Sequence, residues 1–511
     1  MPARTRSGSA EEALEGGNDD ALRRGLVANG NDFDYQQLRE QQLREQEQAR
    51  QHESVYNDDD EDDVDDYDGD VMATPFTRSP VLFFKKRFKA GSIKGSVFTL
   101  VVAVCGAGTL SVPYAIERVG LLLGLALFTG GAFMAFFSLK ILVISSDLTG
   151  VKSYKAIAEH LYGPRTSLFA QIMLLLNLYG TSISYIVASG SMISRTLQTI
   201  FDDYESKILQ QKTVMLVTTL LIVVPLCLLR TMGALRYSSL IGVACSCYLA
   251  IVVMVTYFDF CGHHAHVVSP RSEDYQVVEC FWEKPVESDP IVLANFGIDR
   301  LLATLPIVVY SYTCHPNVLP IFLELNKPTR RRMTKVVSRA LGLALVLYSI
   351  IGSFAYLTFK TQLAESEGNF LSNDFHRNES ALLGAVGMSL SVILAIPLFV
   401  HAFRGNVFSL ISDDDIDPKT APLYLHVGIS LGMVIAALLP AIMISDISMV
   451  FTVLGSTSNP IICFVLPAMF LMRAAPSGMY QTERVVAVVL AAAITLISLT
   501  SLAKNIISWT K

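Results

Sequence analysis

The chain has 511 residues, of which 51% are hydrophobic and 17% charged, with a mean hydropathy of +0.43, and this leaves too little polar surface to cover a soluble globule. Charge is segregated along it: residues 1–84 hold 21 Asp and Glu against 8 Lys and Arg, near -13, while the rest, with 25 acidic and 32 basic residues, is near +7. A soluble enzyme is excluded on these grounds, and no nucleic-acid partner is expected.

The first 90 residues read as an acidic tail on the cytosolic side. They carry a Gln/Arg/Glu-rich stretch from Gln36 to Gln51 and an acidic run from Asp58 to Asp70. With no apolar period to build a core, the tail is expected to be disordered. Residues Tyr35 to Gln51 are helix formers that a cytosolic partner would be able to order. Tyr35-Gln36-Gln37-Leu38 fits a tyrosine-based sorting signal. The first apolar run begins only after Lys94, so no cleavable signal peptide is expected.

Residues 91–511 form the transmembrane domain. Runs of roughly 18 to 25 mostly apolar residues suffice to cross a hydrocarbon core about 30 Å thick as helices. Eleven are found, at Gly95 to Ile116, Gly120 to Ser145, Leu168 to Ile193, Val214 to Leu229, Ser238 to Phe258, Leu293 to Leu319, Val337 to Phe359, Leu382 to Val400, Leu423 to Ile444, Ile447 to Leu471, and Val485 to Ile507. The basic cluster Lys85, Lys86, Arg87 and Lys89, the pair Lys152 and Lys155 with Arg165, and the cluster Lys327, Arg330, Arg331, Arg332, Lys335 and Arg339 all fall on one side if the N-terminus is cytosolic. An odd number of spans then places the C-terminus outside or in a lumen.

Two outward features agree with this topology. The loop after the fifth span carries Cys261 and Cys280, which would form a disulfide in an oxidising compartment, and the loop after the seventh carries the sequon Asn378-Glu379-Ser380. The other six cysteines lie in spans, where they read as small packing residues. His263, His264 and His266 read as a solvated loop cluster. No metal-ligand spacing, catalytic carboxylate pair or activated nucleophile stands out, so no metal, no cofactor and no catalytic residue is expected.

The first span is interrupted by Cys105-Gly106-Ala107-Gly108-Thr109, with Pro113 four residues on. Two glycines permit unwinding and close approach of a ligand, and the same spacing also suits close helix packing. The sixth span is interrupted as well, by Pro306, Pro316 and Pro320 around Tyr310-Ser311-Tyr312-Thr313-Cys314-His315. Two broken helices five spans apart match inverted five-helix repeats with a binding site at the midplane. Amides from Ala107 to Leu110 would receive a carboxylate, and carbonyls near Val101 to Cys105 and Tyr310 to Thr313 an ammonium.

These residues resemble a family. Ser96-Val97-Phe98 through Gly106-Ala107-Gly108-Thr109-Leu110-Ser111-Val112-Pro113-Tyr114-Ala115 is similar to the first helix of the amino acid/auxin permease superfamily. Cys314-His315-Pro316-Asn317-Val318-Leu319-Pro320-Ile321-Phe322-Leu323-Glu324-Leu325 resembles the sixth helix of its sodium-coupled neutral amino acid transporter and vacuolar transporter branches. Leu454-Gly455-Ser456-Thr457-Ser458-Asn459-Pro460, with Phe464-Val465-Leu466-Pro467 and Arg473, resembles the tenth. The resemblance implies an all-α LeuT-type fold of eleven helices, a free amino acid as substrate, and binding between the first and sixth helices.

The coupling ion is left between H+ and Na+. Sodium-coupled relatives place an Asn four residues before the first Gly of the break, where this chain has Val102. Ser389 and Ser391 in the eighth span offer hydroxyl ligands, or else bond back to their own helix. Ionisable groups in spans mark gating pairs or a proton relay, here His315 and Glu324, and His401 and Arg404, or else interfacial residues at wet helix ends. With no Asp or Glu at the level of the breaks, neutral amino acids are favoured. The expected function is secondary active amino acid transport at a plasma or vacuolar/lysosomal membrane, with proton coupling ahead of sodium. The alternative is an amino-acid sensor that signals through its tail.

Overall fold

The structure, a computed structural model, describes residues 91–509 apart from breaks at 202–205, 230–235, 264–265, 269–274, 278–290, 367, 374–378, 412–421, 445 and 477. The tail, its sorting motif, Cys280 and Asn378 therefore lie outside the described residues.

Each of the eleven apolar runs has become a helix or a helix pair. The first span is α1 (Ile93–Val104) and α2 (Gly108–Val119), bent by 53° at their junction. Ser92 starts α1 by accepting the Gly95 amide at 3.1 Å, which satisfies one of the amides a helix start leaves open. The second span is α3 (Leu121–Thr149), and a short helix α4 (Tyr154–Tyr162) leads to the third, α5 (Pro164–Phe201). The fourth span is the shorter α6 (Gln211–Cys227), which includes a π turn at Thr219–Val223, and the fifth is α7 (Arg236–His263).

The sixth span consists of α8 (Ile298–Ser311) and α9 (His315–Glu324). Pro316 occupies the first turn of α9, where its missing N–H leaves no carbonyl unserved. Then follow α10 (Arg330–Phe359), α11 (Glu379–Ile411) and α12 (Leu423–Met443). The tenth span is again a pair, α13 (Ile447–Ser456) and α14 (Ser458–Ala474), bent by 41°, with a π turn at Ile461–Val465. Helix α15 (Gln481–Trp509) ends the described chain. Among the described residues seven helices are long and apolar enough to cross a membrane alone, and the two bent pairs are so when each is taken as one, which gives nine against the eleven expected; the fourth span and the two halves of the sixth are shorter.

Between the fifth and sixth spans lie β1 (His266–Val268) and β2 (Tyr275–Val277), a small antiparallel hairpin. Of the expected loop histidines, His263 closes α7 and the His266 backbone pairs with Val277, while His264 lies outside the described residues. No periodicity of three residues per strand was long enough to announce that hairpin.

The core gathers around the interrupted helices. Helix α10 packs against α1, α2 and α3, α11 lies along α5 and α7, and α8 is wedged between α2 and α13. After α10 the chain makes two 3-10 turns, Lys360–Glu365 and Phe370–Ser372, that are buried rather than looped into solvent. Phe370 is fully covered, Asn369 donates to Ser191 Oγ at 2.8 Å, and Ser111 Oγ donates to the Gly368 carbonyl. Gly368 has φ +77° and lies against the Ser448 backbone, so neither its conformation nor its surroundings admit a side chain. This segment ties the third span, the second half of the first and the tenth together at one end of the bundle.

Candidate functional site

The two broken helices meet at their breaks. Helix α1 ends at Val104 and α2 starts at Gly108, so the amides of Gly106, Ala107 and Gly108 have no backbone carbonyl among the described residues to donate to. The Tyr185 hydroxyl of α5 lies over this gap, against the Ala107 amide and so close to Gly106 that a Cβ there would fall within it. Thr109 spans the break, donating its hydroxyl to the Cys105 carbonyl at 2.9 Å. Gly108 faces the other break: a Cβ on it would come within 3.2 Å of Ser311 Cα. Both meanings of the glycine pair thus hold, Gly106 for access to backbone and Gly108 for close helix approach.

One side chain joins the breaks. The Tyr348 hydroxyl, from α10, lies 2.8 Å from the Val104 carbonyl and 2.9 Å from the Ser311 carbonyl, so its single proton serves two carbonyls that have lost their helical partners. Its ring is fixed edge-on to Tyr312 at 5.4 Å and to Phe128 at 5.8 Å.

A cavity of about 30 Å³ lies between the breaks, lined by Val104, Gly108, Tyr185, Tyr310, Asn177 and Thr313 among others. It has room for a water or two, not for an amino acid. The Tyr310 ring stacks on Phe451 at 4.2 Å and its hydroxyl is 3.0 Å from Ser184 Oγ, while Tyr185 meets Phe399 edge-on at 4.9 Å. The Lys360–Ser372 segment is seated at one end of this tightly packed region.

This interrupted-helix geometry now has its comparison. The profile of the transmembrane amino acid transporter protein family matches residues 89–508. The chain belongs to this transporter family, part of the amino acid/auxin permease superfamily. It is similar to vacuolar amino acid transporter 6 of Saccharomyces cerevisiae, with 25% identity over 424 residues that cover 74% of this chain and 89% of that protein.

The transporter brings together three of the residues expected to bind substrate: Gly108, Tyr310 and Thr313 line the cavity. Cys105, Ala107, Thr109, Leu110 and Tyr312 are packed in the core, and Gly106 lies under the Tyr185 hydroxyl. The Val101 carbonyl is already taken by the Cys105 amide. The expected ion residues divide. Val102 and Ser391 both face Gly242, where an added Cβ would lie 3.0 Å from Val102 and 2.8 Å from Ser391 Oγ. Ser389 instead donates to the Ala385 carbonyl of its own helix at 2.7 Å. His315 is buried beside Phe464 at the start of α9, and both its ring nitrogens lack a partner among the described residues. Glu324 is exposed at the far end of α9, about 13 Å along the helix from His315, so the two do not form one site. His401 and Arg404 do pair, at 2.9 Å, and Arg404 also donates to Ser430 Oγ at 2.8 Å and approaches His426 at 3.4 Å.

Sequence reasoning missed Tyr185, Tyr348, Phe399 and the buried amide pair in which Asn177 donates to Asn459. Asn177 had a visible signal, a carboxamide in mid-span. The aromatic residues had none, because a tyrosine in an apolar run reads the same whether it packs or bridges.

Proposed function

We propose that the transporter carries amino acids with uncharged side chains by alternating access, driven by a proton gradient. The observation that carries the coupling is His315, buried at the sixth-span break with neither ring nitrogen paired among the described residues. An imidazolium there would be a buried charge with no partner among the described residues, which is costly. Opening would hydrate the ring and let it take a proton from the side at higher proton activity. Closing on a charged His315 then needs a counter-charge, and the substrate carboxylate drawn to the amides of Gly106 to Gly108 supplies one.

Substrate selection follows from the lining. Asn177, Thr181, Tyr185, Tyr310, Thr313 and Asn317 offer hydroxyls and carboxamides, with no carboxylate among the described lining residues to neutralise a cationic side chain. Sodium is the weaker reading because an oxygen-poor pair, Val102 and Ser391, faces Gly242.

The Asn326 amide donates to the Gly91 carbonyl at 2.9 Å, so the start of the domain and the basic Lys327–Arg339 stretch share one end of the bundle. Short basic loops favour that end in the cytosol, with the C-terminus lumenal or outside. The resemblance to a yeast vacuolar transporter supports an acidic organelle, where a proton gradient is at hand. A disulfide between Cys261 and Cys280 and glycosylation at Asn378 belong to the same topology; the alternative is a sensor whose tail reports substrate occupancy to a soluble partner, with flux incidental.

The deciding experiment is uptake of labelled amino acids into proteoliposomes under imposed gradients. Accumulation should follow a pH gradient and be unchanged when choline replaces sodium. His315→Gln should lose gradient-driven accumulation yet keep substrate exchange. Uptake that needs millimolar sodium and ignores pH overturns the coupling, and absence of flux with substrate-dependent tail capture favours the sensor.

A further inference from the structure

Helix α15 is the least buried of the spans, and beside it the tenth span leaves a furrow. One cavity of about 300 Å³ lies at the α13–α14 break, walled by Leu176, Ser458, Thr495 and Leu502, and another of about 550 Å³ lies between α14 and α15, walled by Ala468, Met472, Val488 and Ala492. Thr495 and Leu499 border both, so the two are one groove. From Val488 to Leu502 it extends about 21 Å along α15, against about 15 Å for half of a bilayer's hydrocarbon core. Alanines at 468, 491 and 492 line its floor, and exposed Leu496 and Leu499 form its rim.

At the mouth the chemistry changes. Tyr162 lines that end and donates to the Met469 carbonyl at 2.6 Å, and Arg473, in the last turn of α14, lies near enough to act on the Tyr162 phenol. Nearby arginines are committed: Arg330 to Asp147 and the Tyr480 hydroxyl, Arg484 to the Ala475 carbonyl. Arg473 is exposed and makes no hydrogen bond or ion pair among the described residues. An apolar channel longer than one leaflet is deep, ending at an uncommitted guanidinium, has room for an acyl chain and the charge order of a glycerophospholipid.

We infer that the groove between the tenth and eleventh spans is a binding site for an anionic glycerophospholipid from the leaflet at the Arg473 end. One acyl chain lies along Ala468, Ala492 and Leu499, and the phosphate meets Arg473 through the planar donor fork that suits phosphate oxygens. An exposed guanidinium with no partner among the described residues, at the end of an apolar groove, favours an anionic lipid over a second copy of this chain, because it matches a phosphate and not an apolar helix face. A lipid there supports the flank of the broken tenth helix, whose break contacts the Asn177 amide through Asn459.

The test is native mass spectrometry of the full-length, delipidated transporter titrated with phosphatidylserine or phosphatidylcholine. The unmodified protein should retain one phosphatidylserine in preference to phosphatidylcholine. Arg473→Gln should reduce that preference about fivefold, the equivalent of roughly 1 kcal/mol for one basic residue at an anionic surface. Ala492→Phe, which fills the groove from an exposed position, should abolish tight retention of either lipid. Phosphatidylserine carrying a photoreactive acyl chain should label the Met469 and Leu499 peptides. Unchanged retention in both variants, labelling elsewhere, or a groove occluded by a second copy in a dimer would overturn the assignment.

Discussion

The bridge from Tyr348 to both breaks can be removed with little else disturbed. In Tyr348→Phe the ring contacts with Tyr312 and Phe128 are kept, and only the hydroxyl that serves the Val104 and Ser311 carbonyls is lost. In the closed conformation both carbonyls are then buried with one donor fewer, a loss of about 1 to 2 kcal/mol. When the breaks separate to admit substrate, water reaches the same carbonyls, and the open conformation loses little. The variant should therefore shift the closed-to-open balance toward open by a factor of about 5 to 30. Cys105 and Cys314 are free, buried thiols beside the two breaks and report that balance directly. In a background where Cys227, Cys245, Cys247 and Cys463 are replaced by Ala, maleimide labelling of Cys105 and Cys314 should accelerate by that factor in Tyr348→Phe. Substrate should protect less well than in the parent. Labelling rates indistinguishable from the parent would show that the hydroxyl does not hold the breaks together, and the reasoning would fail.

Gly106→Val should abolish uptake while the protein stays inserted and folded, because the side chain meets the Tyr185 hydroxyl at the open amides; normal uptake would refute the placement of the site. Gly368→Val combines a left-handed backbone costing a side-chain-bearing residue about 1 to 2 kcal/mol with contact against Ser448. It should unseat the Lys360–Ser372 segment and raise Cys105 labelling from the Ser448 side alone, and equal labelling from both sides would argue against that segment as a closure. Cys261, buried at the end of α7, should be found oxidised to Cys280 by intact mass mapping, a link that contributes about 3 kcal/mol to the loop it closes. Recovery of both as free thiols would count against the outward placement of their loop.

Hydropathy alone located the eleven apolar helical runs and the two interrupted helices, because an apolar run, and a Gly- or Pro-rich gap within it, are local properties of the chain; among the described residues seven helices, or nine counting each bent pair as one, are long and apolar enough to cross a bilayer. The amide gap at Gly106 to Gly108 was legible for the same reason: glycines and Pro113 act on the backbone that carries them. Thr313 and Tyr310 were legible through their place in the second gap. Only tertiary structure decided the rest. That Gly108 packs on Ser311, that Tyr348 bridges two helices from a third, and that Asn177 finds Asn459 across 282 positions of chain depend on how helices are rotated and where they cross. Hydropathy does not encode rotation in a membrane, since lipid and core are equally apolar and a helix face toward either reads alike. For the same reason Glu324 and His315, neighbours in one motif, ended in separate environments, one exposed and one sealed, because helix length carried them apart while packing beside Phe464 of the tenth span covered the His315 end.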